Sequence, residues 1–174
     1  MSCADRAIVG AFARKIKVVE IPVFVPDSST AYTAGDALTD SWQELSDVFD
    51  DPNGNAELIE VSVQYWNGTS LTKKGINFIF FRSKPASSVV SANVAEGLTS
   101  ADSDLVCGTC AVVTADYVDA NSKLTVARTK TNLPVVNNNS LTATRSLWVK
   151  PLATEAQTYA AAGRMTIRFV FEQF

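Results

Sequence analysis

The chain has 174 residues, 47% of them hydrophobic and 19% charged, with 15 Lys and Arg against 18 Asp and Glu, a formal net charge of −3 and no histidine. A chain of this length buries roughly 70% of its extended surface, enough for one hydrophobic core without metal or disulfide support, so composition predicts one folded domain. The missing histidine excludes Ser-His-Asp and Cys-His catalysis and every His-ligated metal site, and an acidic balance with no run of five basic residues lacks the footprint of nucleic-acid binding.

Residues 1–17 carry Arg6, Arg14, Lys15 and Lys17 against Asp5, four cations to one acid, a net +3 that leaves −6 on the remainder. They are expected to form a basic N-terminal arm that reaches an acidic neighbour, ahead of a single β-domain over residues 18–174. The apolar run Ala7–Ala13 lacks the form of an export signal, which points to synthesis in a reducing cytoplasm. No stretch approaches the ~18 apolar residues of a membrane span, so no membrane partner is expected.

Residues 16–25 predict a strand with Val19, Ile21, Val23 and Val25 on one face, and Pro22, which has no N–H for a ladder, marks an edge or a bulge. Ser41-Trp42-Gln43-Glu44 has capping-box form, and Trp42, Leu45, Val48 and Phe49 recur at helical spacing, which predicts a short helix. In residues 58–66, Ile59, Val61, Val63 and Tyr65 alternate with Glu60, Ser62 and Gln64, a half-buried strand. Ile76–Phe81 is apolar on both parities, as in an inner strand covered on both sides, and Phe78 and Phe80 are expected in the core.

Residues 86–104, rich in Ser, Ala and Asp, read as an excursion outside the core. Leu105–Val113 predicts a strand, followed by a helical turn with Thr114 as N-cap over Ala115-Asp116-Tyr117. Arg145–Lys150 is a further strand, and near the C-terminus Met165, Ile167, Phe169 and Phe171 alternate with Thr166, Arg168, Val170 and Glu172. Asp51-Pro52-Asn53-Gly54, Asn67-Gly68 and Asn137-Asn138-Asn139-Ser140 supply reversals. Short strands punctuated in this way indicate an all-β sandwich or barrel.

Chemistry-bearing motifs are few. Cys107-Gly108-Thr109-Cys110 has the spacing of a redox pair or half a zinc site. A redox pair needs a helix to follow, whereas Ala111-Val112-Val113 favours strand, and zinc would find only Cys3 besides. The pair therefore reads as buried strand cysteines. Asp47, Asp50, Asp51, Asn53, Asn55 and Glu57 surround a turn but miss the calcium-loop pattern, with glycine at Gly54 and Ser62 where a glutamate is needed. Asp102 and Asp104 read as loop carboxylates and not as a glycosidase pair. No catalytic, cofactor-binding or metal residue is assigned, and no cofactor is expected. Trp66 and Trp148 fall on the parity opposite the strand core and are the candidate partner surface, while Arg6, Arg14, Lys15 and Lys17 are the candidate docking cations.

Tyr32-Thr33-Ala34-Gly35-Asp36-Ala37-Leu38 resembles the Tyr-x-x-Gly-Asp segment of small β-rich structural proteins of tailed bacteriophages. The likeness continues through Ile59–Tyr65, through Phe78-Ile79-Phe80-Phe81-Arg82-Ser83-Lys84-Pro85, and through Val112-Val113-Thr114-Ala115-Asp116-Tyr117. Leu147-Trp148-Val149 and Tyr159 to Phe171 look like the last two strands. It spans about residues 18–172, departing at Ser41–Phe49, which the family pattern has extended, and leaving residues 1–17 unmatched.

The resemblance implies an antiparallel, jelly-roll-like β-sandwich with no enzymatic activity: a decoration or cement protein on the exterior of a phage head. Its partners would be the major capsid protein and further copies of itself, as trimers at local threefold positions. The alternative is a head fibre or host-surface, glycan-binding module using Trp66, Trp148 and the 86–104 loop.

Overall fold

The computed structural model describes residues 14–26, 30–52, 54–67, 71–86, 92, 95, 97–136 and 144–174. Cys3, Arg6, Asn53, Gly68, most of 87–96 and the Asn137–Ser140 turn lie outside these residues. The described elements are β1 (Lys15–Phe24), β2 (Gln43–Leu45), β3 (Asn55–Trp66), β4 (Ile76–Phe81), α1 (Ser100–Ser103), β5 (Val106–Val112), β6 (Tyr117–Asn121), β7 (Leu124–Val136), β8 (Leu147–Ala153) and β9 (Arg164–Gln173).

They form two antiparallel sheets, ordered β1-β9-β3-β7-β6 and β2-β8-β4-β5. With β6 set aside, the first strand pairs with the last, β2 with β8, β3 with β7 and β4 with β5. That is one long hairpin rolled up so that successive strand pairs alternate between sheets, the topology of a jelly roll. The all-β, jelly-roll-like sandwich expected from the sequence is the fold observed.

Alternation decides which side chains fill the space between the sheets. Met165, Ile167, Phe169 and Phe171 of β9 and Ile76, Phe78 and Phe80 of β4 are all at most 1% exposed. Phe169 meets the edges of Phe78 and Phe80 with ring centroids 5.4 and 5.5 Å apart, so the sheets are pinned by aromatic contacts at their centre. Each such phenylalanine contributes about 1.5–3 kcal/mol by leaving water.

Two strands break their own alternation. In β1 the register shifts between Ile21 and Phe24, so Phe24 packs against the core while Val23 and Val25, expected to share the core face, stand 61% and 56% exposed. Pro22, without a ladder donor, sits in that irregularity on the edge of the sheet, as the sequence indicated. In β3 the shift falls between Leu58 and Glu60, so the core face is Ala56, Leu58, Val61, Val63 and Tyr65, and Ile59 is only half-buried.

The expected helix over Ser41–Phe49 is not formed. Gln43–Leu45 pairs with Val149–Leu147 of β8, and Asp47 takes a positive φ of 56° in the turn that follows. The helical spacing misled because Trp42 and Leu45 are buried on opposite sides of the sheet. Leu45 lies in the core, whereas Trp42 packs on the outer side against Phe81, with centroids 5.0 Å apart. The second expected turn is a 3-10 helix over Thr114–Asp116, with Tyr117 already in β6. Its cap is the Asp116 carboxylate, which accepts from the Val113 N–H at 2.9 Å and from Thr129 Oγ1 at 2.6 Å, and not the Thr114 hydroxyl.

The Tyr-x-x-Gly-Asp segment lays the β1–β2 connection along β8. Gly35 has φ +92°, a conformation costly for any residue with a side chain, and Asp36 accepts from Thr33 N–H at 2.6 Å and Thr33 Oγ1 at 2.9 Å, closing the turn. Hydrogen bonds from Gly35 to Ala153 and from Leu38 to Pro151 then continue the β8 ladder beyond β2, while Tyr32 packs edge-on to Tyr159 at 5.7 Å. The motif is thus a folding device that fixes the open end of the sandwich.

Candidate interaction surface

Of the docking cations, Arg6 lies outside the described residues. Arg14 Nη1 lies 3.1 Å from both carboxylate oxygens of Glu172, and Lys15 Nζ lies 2.5 Å from Asp50. Lys17 is half-buried on β1. Arg14 and Lys15 therefore neutralise acids of their own chain, though their side chains remain 72% and 64% exposed, where such pairs contribute about 0–1 kcal/mol and exchange partners readily.

The two candidate tryptophans do not meet. Trp66 is 41% exposed on the outer face of the five-stranded sheet, between Leu124 of β7 and Arg164 of β9 in register. One row along, Val126 stands opposite Val118, which is 70% exposed, so Trp66, Leu124, Val126 and Val118 make an apolar corner beside β6. Trp148 is half-buried on the outer face of the other sheet, with Lys84 Nζ 5.4 Å from its ring centre. A sheet sandwich separates them, so they belong to different surfaces.

A second apolar patch on the five-stranded sheet escaped the sequence reading. The outer face of β1 carries Ile16 and Val18, 57% and 50% exposed, with Val170 of β9 beside Val18. The signal was present: Lys15–Ile21 has apolar residues on both parities, and in an edge strand one of those faces must meet solvent. Between the two apolar corners runs a polar band in which Glu20 is bonded to Arg168 at 2.6 Å, Ser62 stands opposite Arg128, and Glu60 stands opposite Lys130.

The remaining motifs have structural duties. Cys107 and Cys110 are free thiols, half-buried on β5 against the core, and burial pushes them up to about 11 and about 12, leaving them protonated and poorly nucleophilic. Asp102, 1% exposed, closes a capping box with Thr99, accepting from its N–H at 3.0 Å and its hydroxyl at 2.8 Å, and also receives the Ala86 N–H at 3.1 Å. Asp104 is exposed at the end of α1. In the acidic turn, Asp50 serves Lys15 and Asp47 lies 4.0 Å from Arg145. Among the described residues no cluster of three or more Cys, Asp or Glu is placed to hold a metal ion.

No protein-family model matches the chain, and no curated protein matches it. Among solved structures, a chain from the sacbrood virus of honeybee is similar at a TM-score of 0.30 and 15% sequence identity, with 91% of this chain and 67% of that chain covered. The jelly-roll assignment rests on the strand ladders of this chain itself.

Proposed function

We propose that this protein is a non-enzymatic virion structural protein that binds the capsid lattice of a tailed phage from outside and stabilises the head. The observation that carries the reading is the coincidence of motif and fold. The Tyr32–Asp36 turn, β3, β4 running to Pro85, β5 running to Asp116-Tyr117, β8 and β9 follow one another through a single jelly roll in the order of the sequence resemblance. The jelly roll also serves lectins and cupins, so fold alone does not choose among them. The cupin route needs metal ligands of a kind that a chain without histidine does not offer.

Stabilisation would follow from mass action. A module that binds assembled capsid and not its separated subunits lowers the free energy of the assembled state, and many weak copies add up. Arg14, Lys15 and Lys17, preceded by Arg6 with Asp5 beside it, supply the basic approach to the major capsid protein. The test is co-sedimentation with empty capsids of the same phage, scored for saturation and for added resistance to heat. Replacing Arg14, Lys15 and Lys17 together by glutamine, which removes the three cations that carry the net charge of the segment, is expected to weaken binding and flatten its salt dependence. Absence of saturable binding by the intact chain would sink the reading.

The alternative, a host-surface or glycan-binding module on the virion, is favoured by the apolar corner at Trp66. It would use Trp66 without Trp148, since the two occupy opposite outer faces. A glycan array separates the readings, because a cement protein binds nothing there.

A further inference from the structure

A sheet edge is a row of backbone donors and acceptors awaiting a partner, and folded proteins blunt it by shortening, bulging, charging or covering the strand. Among the described residues, three of the four edges are short or bulged within their paired length, whereas the regular stretch of β1 is guarded by charge alone. β2 has three residues, β6 has five with a register shift between Asp119 and Asn121, and β5 is bulged opposite Phe80 and Phe81. β1 has ten residues, keeps regular register with β9 from Lys15 to Ile21, and is interrupted only beyond that, at Pro22. No described strand pairs with its outer edge.

The outer face of this stretch reads Arg14, Ile16, Val18, Glu20: a cation, two exposed aliphatic residues and an anion. Arg14 and Glu20 lie on that face because their own partners do, Glu172 and Arg168 of β9. Such a sequence complements itself when one copy runs opposite to another. In parallel it would set Arg14 on Arg14 and Glu20 on Glu20.

We propose that residues 14–20 pair antiparallel with the same strand of a second copy of this chain, across a twofold axis passing through Lys17. Arg14 then stands opposite Glu20 of the second copy, and Ile16 opposite its Val18. Both cross-strand pairs are favourable, and two five-stranded sheets join into one of ten. Each Arg14–Glu20 contact bridges two ion pairs already present, Arg14–Glu172 and Glu20–Arg168, into a network. Lys17 faces its own copy at the axis, a like-charge contact that limits the affinity. The inference stands on the edge alone and not on the virion reading. Its axis is twofold, whereas the capsid resemblance suggested threefold positions.

Sedimentation equilibrium of the full chain, in the absence of capsids, tests it. A dimer is expected. Val18→Lys, at a half-exposed site where folding is little affected, should weaken it at least about tenfold with unchanged circular dichroism and melting, and Lys17→Val should tighten it. A monomer, a trimer, or a dimer indifferent to both substitutions would overturn the proposal. So would a monomer that dimerises only after residues 1–13 are removed, since the chain's own N-terminal segment would then be the occupant of the edge.

Discussion

The outer faces of the two sheets are built from the same alternation and end in opposite states. On the four-stranded sheet, Phe81 and Lys150 are fully buried and Leu152 nearly so, with Trp42 packed against Phe81 and set over the Lys150 ammonium at 5.3 Å. On the five-stranded sheet, Ile16, Val18, Trp66 and Val118 remain open to solvent at both ends of a polar band. Part of one outer face is covered by Trp42, and among the described residues the apolar corners of the other stay exposed. Substitutions should therefore separate cleanly, with stability responding on the covered face and binding on the open one.

The two faces share the seam beneath them, which sets the upper limit. Phe80→Ala, removing a fully buried ring that packs on Phe169, is expected to cost about 3–5 kcal/mol in chemical denaturation. Trp42→Ala should approach the lower end of that range, about 3 kcal/mol, since it uncovers both Phe81 and Lys150. Gly163→Ala, beneath the open sheet, should cost about 1–3 kcal/mol, because its new methyl would lie 2.3 Å from Tyr65 Oη and force the ring aside. Trp66→Ala, on the open face, should change stability by no more than about 0.5 kcal/mol while altering any binding that uses that corner.

Alkali provides a graded comparison of the same two sheets. Burial raises the thiols of Cys107 and Cys110, on the covered sheet, to about 11 and about 12, and raises the phenols of Tyr117 and Tyr159 still further. In each case folding favours the neutral form. The stability is therefore fully present below the unfolded pKa, ~8.5 for thiols and ~10 for phenols, and is lost as pH rises toward the folded values. Stability measured from pH 8 to 11 should fall in two overlapping stages. Replacing both cysteines by alanine should remove the earlier one and leave the phenol-linked loss in place.

What was legible in the sequence depended on whether a segment had one buried side or two. β9 and the second half of β3 bury one face only, and their alternation could be read directly. Ile76–Phe81 was legible as an inner strand for the converse reason, with Phe81 buried on the side away from Phe80. Ser41–Phe49 was not legible because its apolar residues divide between the core and the outer surface, which in one dimension imitates a helix. Val23 and Val25 were misplaced by a register shift that Pro22 announced without giving its phase. The tryptophans were correctly set apart from the core, but parity within a strand says nothing about which sheet the strand will join. That is why Trp66 and Trp148 looked like one surface and are two.

The rolled hairpin also fixes a sequence of events. β9 lies between β1 and β3, so the strand that joins β1 to the larger sheet is made after all the other described strands. Until Arg164–Gln173 emerges, β1 has no neighbour in its sheet and Phe169 is not there to join Phe78 and Phe80. Closure of so distant a pairing is slow, and the incomplete chain exposes apolar strands meanwhile. Nascent chains halted before β9 should accordingly be the aggregation-prone species and the ones that engage chaperones, and the emergence of β9 should be the step that commits the fold.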